Sequence, residues 1–311
     1  MNIRFLETFL WITRLGSFRA AAAKLHLTQA AVSGRIAALE SELEQQLFER
    51  GSREIHLTQA GRTLMRYAEQ MLTTDEEMRK ALLGPRVLHG SVRLGIVESV
   101  IHTWFTPFIK HLHEAHPKLE IELTVESTRR LHDLLKRGAI DVILQTDPVI
   151  EEGVRNRPLG MLKMGWICNA NADMEDDITL AELAAHWPII TFPRHSQPHL
   201  SLLELIEQAD ISSPRIHFVS SIAASTQLIG AGLGVGILPV AALRAGIQQG
   251  IYRLINCTSL LPDLRLVVSW RPDPQAGVAE AVVAMAIKEM QRYAGATPDA
   301  VAPMDSRALA L

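Results

Sequence analysis

Residues 17–43 read SFRAAAAKLHLTQAAVSGRIAALESEL, and two helix-start signals inside this stretch decide what the chain builds first. Ser17 precedes Phe18-Arg19 and four alanines, so it caps a short helix, Phe18 to Leu25, whose small side chains let a neighbour approach closely. After His26-Leu27, Thr28 caps a second helix from Gln29, with Val32, Ile36, Leu39 and Leu43 as its buried stripe. Upstream, Phe5, Leu6, Phe9, Leu10, Ile12 and Leu15 recur at three and four residues and predict an amphipathic helix ending at Gly16. Two short helices joined by a tight turn, the second opening with small polar residues, form a helix-turn-helix whose second helix fits a DNA major groove. Gln29, Ser33 and Arg35 are read as facing away from the apolar stripe, toward base edges or phosphates.

Downstream, Leu47 to Arg50 and Ile55 to Thr58 read as two short strands around Gly51-Ser52-Arg53-Glu54, a wing that sets Arg50 and Arg53 against the flanking backbone or minor groove. The charge pattern agrees. The net charge is −3, yet Thr8 to Leu39 holds Arg14, Arg19, Lys24 and Arg35 and no acid. A basic patch without neutralising carboxylates suits a phosphate surface.

Together, Phe5-Leu6-Glu7-Thr8-Phe9, Gly16-Ser17-Phe18-Arg19-Ala20-Ala21-Ala22, Leu27-Thr28-Gln29-Ala30-Ala31-Val32-Ser33, Ile36-Ala37-Ala38-Leu39-Glu40, Leu47-Phe48-Glu49-Arg50 and Leu57-Thr58-Gln59-Ala60-Gly61 resemble the LysR-type transcriptional regulators. The resemblance implies DNA contacts at Arg19, Thr28, Gln29, Ala30, Ser33, Arg35, Arg50 and Arg53. It also implies double-stranded operator DNA, a small organic effector and RNA polymerase as partners. Two positions depart from the family, which commonly has proline where Ala30 stands and a basic residue where Gly34 stands. The second departure removes an expected phosphate or base contact and places a poor helix former in the reading helix.

Thr58 to Leu83 reads as one long helix stopped by Gly84-Pro85. Leu64, Ala68, Met71, Asp75, Met78 and Leu82 follow a four-three spacing, the seam of a two-helix coiled coil broken once by Asp75. Leu64, Ala68, Met71, Met78 and Leu82 are the expected dimer contacts, since a symmetric reader needs two recognition helices about 34 Å apart. In the family such homodimers commonly assemble into tetramers.

Beyond Gly84-Pro85 the periodicity alternates. Strands are read at Ser91 to Val97, Leu119 to Val125, Ala139 to Leu144, Leu162 to Ile167, Pro188 to Phe192, Ile216 to Val219, Gly236 to Leu238 and Leu264 to Trp270. Helices fall between them, and a last helix spans Gly277 to Tyr293. The fold class is therefore α/β, with largely parallel sheets behind a winged helix-turn-helix and a linker helix. The resemblance implies a two-lobed, periplasmic binding protein-like effector domain, with crossings near Met161–Gly165 and Leu266–Ser269. The boundaries expected are 1–58 for DNA binding, 59–87 for the linker helix and 88–295 for effector binding. Within the last, lobe one takes 88–163 and 267–295 and lobe two 164–266; residues 296–311 are expected as a disordered tail.

Open α/β sheets bind ligands at the carboxyl ends of their strands, beside helix N-termini. Glu98-Ser99, Ser127-Thr128, Pro193 to Ser196 and Ser220-Ser221 occupy such turns, each supplying a hydroxyl that suits a small carboxylate. The candidate effector contacts are Ser99, Ser127, Thr128, Arg194, His195, Ser196 and Ser221, with Arg194 or His195 pairing an anion. Glu98 stands against this, because an acid in that mouth repels one.

Other function classes find little support. The run Gly230, Gly232, Gly234 and Gly236 follows a helix rather than a strand, against a dinucleotide loop. His111, His113 and His116 do not share a helix face, so no metal is expected. No nucleophile elbow, phosphate loop or paired acids appear, so neither an enzyme nor a cofactor is expected. Cys168 and Cys257 lie far apart, against a disulfide framework. Without a membrane-length apolar run or a signal peptide, a cytoplasmic protein is expected.

Overall fold

The computed structural model describes residues 2–49, 55–83, 88–175, 177–272 and 277–302. Asn2 caps helix α1 (Ile3–Leu15) by accepting from the Arg4 amide, and Gly16 ends it in the left-handed region at φ 58°. Ser17 caps α2 (Phe18–Lys24) through the Ala20 amide, and Thr28 caps α3 (Gln29–Leu43) through that of Ala31. Both start signals therefore act as the sequence implies. Phe9, Ile12, Ala21, Val32, Ile36 and Leu39 meet in one core. Phe48 closes it, its ring 5.4 Å from Phe9 and 5.6 Å from Phe18. The wing's base is a single bridge between Phe48 and Leu57, with the Glu49 amide donating to the His56 carbonyl at 2.9 Å. Arg50 and Arg53 lie outside the described residues.

Helix α4 (Gln59–Leu83) begins where Thr58 accepts from the Gly61 amide at 3.0 Å. A Cβ at Gly61 would stand 2.2 Å from the Leu47 carbonyl oxygen, so glycine is what lets the helix start against the wing. Its first turns lie on the helix-turn-helix, where Ala60, Leu64, Met65, Ala68 and Leu72 join the core and Glu69 pairs with Arg14 at 3.5 Å. This corrects the expected seam. Ala68 is fully buried and Leu64 half-buried within the same subunit, whereas Tyr67, Met71 and Met78 are 52%, 45% and 51% exposed. The helix has two apolar faces, and a single heptad reading merged them. The Leu82 side chain lies outside the described residues.

The rest of the chain forms two sheets. Strand β1 (His89–Ile96), α5 (Glu98–Ile101), α6 (Phe105–Ala115), β2 (Lys118–Val125), α7 (Thr128–Lys136), β3 (Val142–Gln145) and β4 (Arg155–Leu162) build the first lobe. After Lys163 come β5 (Met164–Asn169), β6 (Asp177–Ile178), α8 (Leu180–His186), β7 (Ile189–Thr191), α9 (Gln197–Gln208), β8 (Ile216–Phe218), α10 (Ile222–Gly230), β9 (Val235–Pro239), α11 (Val240–Gln248) and β10 (Tyr252–Cys257). The chain then returns through β11 (Leu264–Trp270), α12 (Val278–Ala296) and β12 (Val301–Ala302).

The strand orders β2-β1-β3-β11-β4-β12 and β8-β7-β9-β5-β10-β6 follow one plan. In each sheet three adjacent strands pair in parallel and the next ones antiparallel, with β6 alone pairing parallel to β10 at the far edge of the second among the described residues, so the sheets are mixed rather than largely parallel. The expected strand Leu162 to Ile167 is two strands in different sheets, divided at Lys163. The second crossing lies between Cys257 and Leu264, upstream of the expected Leu266–Ser269, because β11 pairs along its whole length with β4. Residues 297–302 are ordered, correcting the expected tail. Strand β12 covers the free edge of β4, pairing Val301 with Leu162 and Ala302 with Met161. Residues 303–311 lie outside the described residues.

The glycine run also has a packing cause. Gly232 turns the chain after α10 at φ 74°, and Cβ atoms at Gly234 and Gly236 would meet Pro188 O at 2.5 Å and Ile229 Cδ1 at 2.2 Å. Among the described residues no helix is long and apolar enough to cross a membrane.

Candidate functional site

On α3, Thr28 turns its hydroxyl inward to the Ala31 amide, and Gln29, Ala30, Ser33 and Gly34 form a continuous exposed face, with Arg19 exposed on α2. Nothing lies within 4 Å of a Cβ built on Gly34, so this glycine answers no packing need. The face is built of small side chains with Gln29 and Ser33 as its polar groups, which suits a helix entering a groove.

Arg35 has a partner within the protein. It is half-buried, and its Nη1 donates at 3.1 Å to the hydroxyl of Thr8 on α1, which in turn donates to the Arg4 carbonyl at 2.7 Å. Position 35 lies three residues after Val32 and four before Leu39, at the edge of the buried stripe, so its stem runs along the α1–α3 seam. Arg35 braces the two helices, and that hydrogen bond was invisible without knowing where α1 packs.

The second candidate site lies between the lobes. The turns after β1, β2 and β3 are stitched together: the Val97 amide donates to Leu144 O at 3.0 Å, the Glu126 amide to Ile96 O at 3.2 Å, and the Thr128 and Thr146 hydroxyls lie 2.9 Å apart. Ser99 is buried, and Ser127 caps α7 without a side-chain bond. Beneath them runs a polar chain that sequence reading missed. The Asp147 amide donates to Gln145 Oε1, Gln145 Nε2 to Ser269 Oγ at 3.1 Å, and Ser269 Oγ to Asn156 Oδ1 at 2.6 Å. A lone glutamine in a buried strand is the signal that points to it.

In the second lobe, Ser196 caps α9 through the His199 amide. Arg194 lies over the Phe218 ring, 4.2 Å from its centroid, and the His195 amide donates to His199 Nδ1 at 3.1 Å. Burial, with Arg194 and His195 close by, pushes His199 below the ordinary histidine range. Thr191, at the end of β7, is buried with its hydroxyl unpaired among the described residues.

Of the seven expected effector contacts, the one that bridges the lobes is Ser221. It caps α10 and donates at 2.9 Å to Glu98 Oε1, while the Ile222 amide donates at 2.5 Å to Glu98 Oε2. The position read as suiting a ligand carboxylate holds a carboxylate of the protein itself.

The clustered histidines go to separate tasks, His111 Nδ1 lying 2.7 Å from Glu289 Oε2 and His116 Nδ1 accepting from the Leu88 amide. No group of three His, Cys, Asp or Glu among the described residues is placed to hold a metal. Cys168 and Cys257 are buried thiols.

Residues 3–62 match the bacterial regulatory helix-turn-helix protein, lysR family, and residues 85–291 match the LysR substrate binding domain. The nitrogen assimilation regulatory protein nac of Klebsiella aerogenes is 28% identical over 291 residues, covering 91% of this chain and 94% of that protein. The HTH-type transcriptional regulator GltR of Bacillus subtilis (strain 168) is 25% identical over 258 residues, covering 81% and 84%. Among solved structures, full-length OxyR from Pseudomonas aeruginosa superposes with a TM-score of 0.59 at 20% identity, covering 94% of this chain and 95% of that one. Full-length LysG from Corynebacterium glutamicum, solved with bound effector arginine, gives 0.57 at 22% identity, covering 94% and 99%. With both halves matched in order, the chain belongs to the LysR family of DNA-binding transcriptional regulators that carry an effector-binding domain.

Proposed function

We propose that the protein works in the cytoplasm as a homodimer, paired further into a tetramer, that places two copies of α3 in successive major grooves of operator DNA. Gln29 and Ser33 reach base edges, Arg19 and the wing arginines Arg50 and Arg53 hold phosphates, and Thr28 and Ala30 lie against the backbone. A small organic molecule between the lobes shifts their arrangement, and with it the DNA bend that recruits or excludes RNA polymerase. The observation that carries this reading is the bare face of α3 at Gln29, Ala30, Ser33 and Gly34, which the chain leaves uncovered while packing Val32, Ile36 and Leu39 into the core.

The exposed row Tyr67, Met71 and Met78 supports α4 as the dimer contact, at the four-and-three spacing that a partner helix matches once Thr74 is included. LysG, with arginine bound, supports a small-molecule role for the cleft, where Ser127, Thr128 and Ser196 stand at strand ends. The domain limits follow at residues 58 and 87, with the effector domain extended to Ala302.

A gel-shift titration on the DNA upstream of the protein's own gene, against a scrambled duplex of equal length, tests the reading. Preference of about 1,000-fold or more for the upstream DNA is expected. Equal affinity for both duplexes rejects it.

A further inference from the structure

We propose that Glu98 is a tethered carboxylate that clasps the two lobes together and closes the start of α10 to free carboxylates, so that it sets which ligands the cleft accepts. The inference rests on the cleft being the effector site, and it deepens that reading by naming the class excluded. Both Glu98 oxygens are engaged by the opposite lobe: Oε1 takes the Ser221 hydroxyl proton and Oε2 the Ile222 amide. The Ser221 oxygen itself accepts from the Ala224 amide at 3.3 Å, which leaves its single proton for Glu98. The clasp is anchored, because the preceding residue, Val97, donates its amide to Leu144 O on β3.

Chemically this is a bidentate, charge-assisted pair at the positive end of a nine-residue helix. A ligand carboxylate offered the same donors competes with one held at high effective concentration by its own backbone. On the clasp's own lobe, His102 Nε2 lies 3.6 Å from Glu98 Oε1, outside hydrogen-bond distance. Glu98 keeps 23% of its side-chain surface exposed, so solvent and small solutes reach the clasp. A simple carboxylate is therefore shut out of the start of α10 while the clasp holds, and a ligand there must be one that leaves Glu98 in place.

Truncating Glu98 to alanine removes the atoms of one acetate ion, so sodium acetate, against sodium chloride at matched ionic strength, is the probe. Thermal unfolding and the distance between spin labels on the two lobes are read on full-length wild type, Glu98→Ala, Glu98→Gln and Glu98→Ala/Ser221→Ala. Glu98→Ala is expected to lower the midpoint by about 3–6 °C and widen the cleft, with acetate reversing both in this variant alone. Glu98→Gln keeps the shape and retains one acceptor, and is expected to fall between. Acetate acting equally on all four proteins, or an unchanged lobe distance in both Glu98→Ala and Glu98→Gln, overturns the clasp. Operator binding in the same samples separates the two readings: a wild type that shifts no operator fails the regulator reading, whereas absent acetate rescue with operator binding intact fails the clasp alone.

Discussion

Helices α3 and α10 both begin at a hydroxyl cap, Thr28 in one and Ser221 in the other, yet their first turns meet opposite neighbours. The opening of α3 is bare, with Gln29, Ala30 and Ser33 exposed, whereas that of α10 is already engaged by Glu98 from the other lobe. The difference teaches that a cap motif marks a helix start and not a vacancy. Both caps bond an amide 3 residues on, and whether the start is open depends on what the fold brings to it, which at α10 is a carboxylate 123 residues away.

The largest expected effect tests whether the bare face of α3 works alone or as one of a pair. Met71→Asp with Met78→Asp buries like charges along the exposed row of α4, and monomers with operator affinity reduced at least about 100-fold are expected. Sedimentation at several concentrations checks this, and an intact dimer places the contact elsewhere. Ala68→Asp, by contrast, strikes the subunit's own core and is expected to unfold the helix-turn-helix, visible as lost helical circular dichroism.

A smaller effect separates Ser33 from Arg35 on the same helix. Ser33→Ala is expected to weaken operator binding by about 1–3 kcal/mol with the melting curve unchanged. Arg35→Ala is expected to destabilise the DNA-binding domain by about 1 kcal/mol through loss of its bond to Thr8, an effect that Thr8→Val shares. A double-mutant cycle on stability checks the pairing, and additive losses overturn it.

The effector domain is expected to respond to acid where the α3 face does not. Burial lowers the folded-state pKa of His199 and of His116, so the unfolded chain binds these protons first as the pH drops below the ordinary value of 6.5. Stability from keeping both rings neutral is complete above that pH and is lost as pH falls through the folded-state values. A thermal midpoint that declines from pH 7 to pH 5.5, less steeply in His199→Gln, bears this out; identical slopes count against it. The smallest effect concerns Gly34, where open space awaits a side chain. Gly34→Ala is expected to add about 0.5–1 kcal/mol of stability, and Gly34→Lys to steepen the salt dependence of DNA binding by about one phosphate contact.

How much was legible in the sequence follows the same division. Ser17, Gly16, Thr28 and Thr58 act within four residues of themselves, and the helices they bound were readable to within a residue or two. Ala68 misled, and the bond from Arg35 to Thr8 stayed hidden, because the partner of both, α1, lies elsewhere in sequence. Strand β4 was read only at its last residue, since Arg155, Arg157 and Pro158 break the apolar pattern of a strand paired on both sides. The clasp at Glu98 and the chain from Gln145 through Ser269 to Asn156 join residues more than 100 positions apart, beyond the reach of any local pattern. Glu98 did stand out as an acid in the wrong place, and that misfit was the signal.

The central claim is that the uncovered face of α3 reads sequence. It is tested most directly by titrating wild type and Gln29→Ala on the upstream operator and on scrambled DNA at one salt concentration. The account predicts that Gln29→Ala loses about 1–3 kcal/mol on the operator and almost nothing on the scrambled duplex, so the preference itself shrinks. An unchanged preference, or an equal loss on both duplexes, would contradict it.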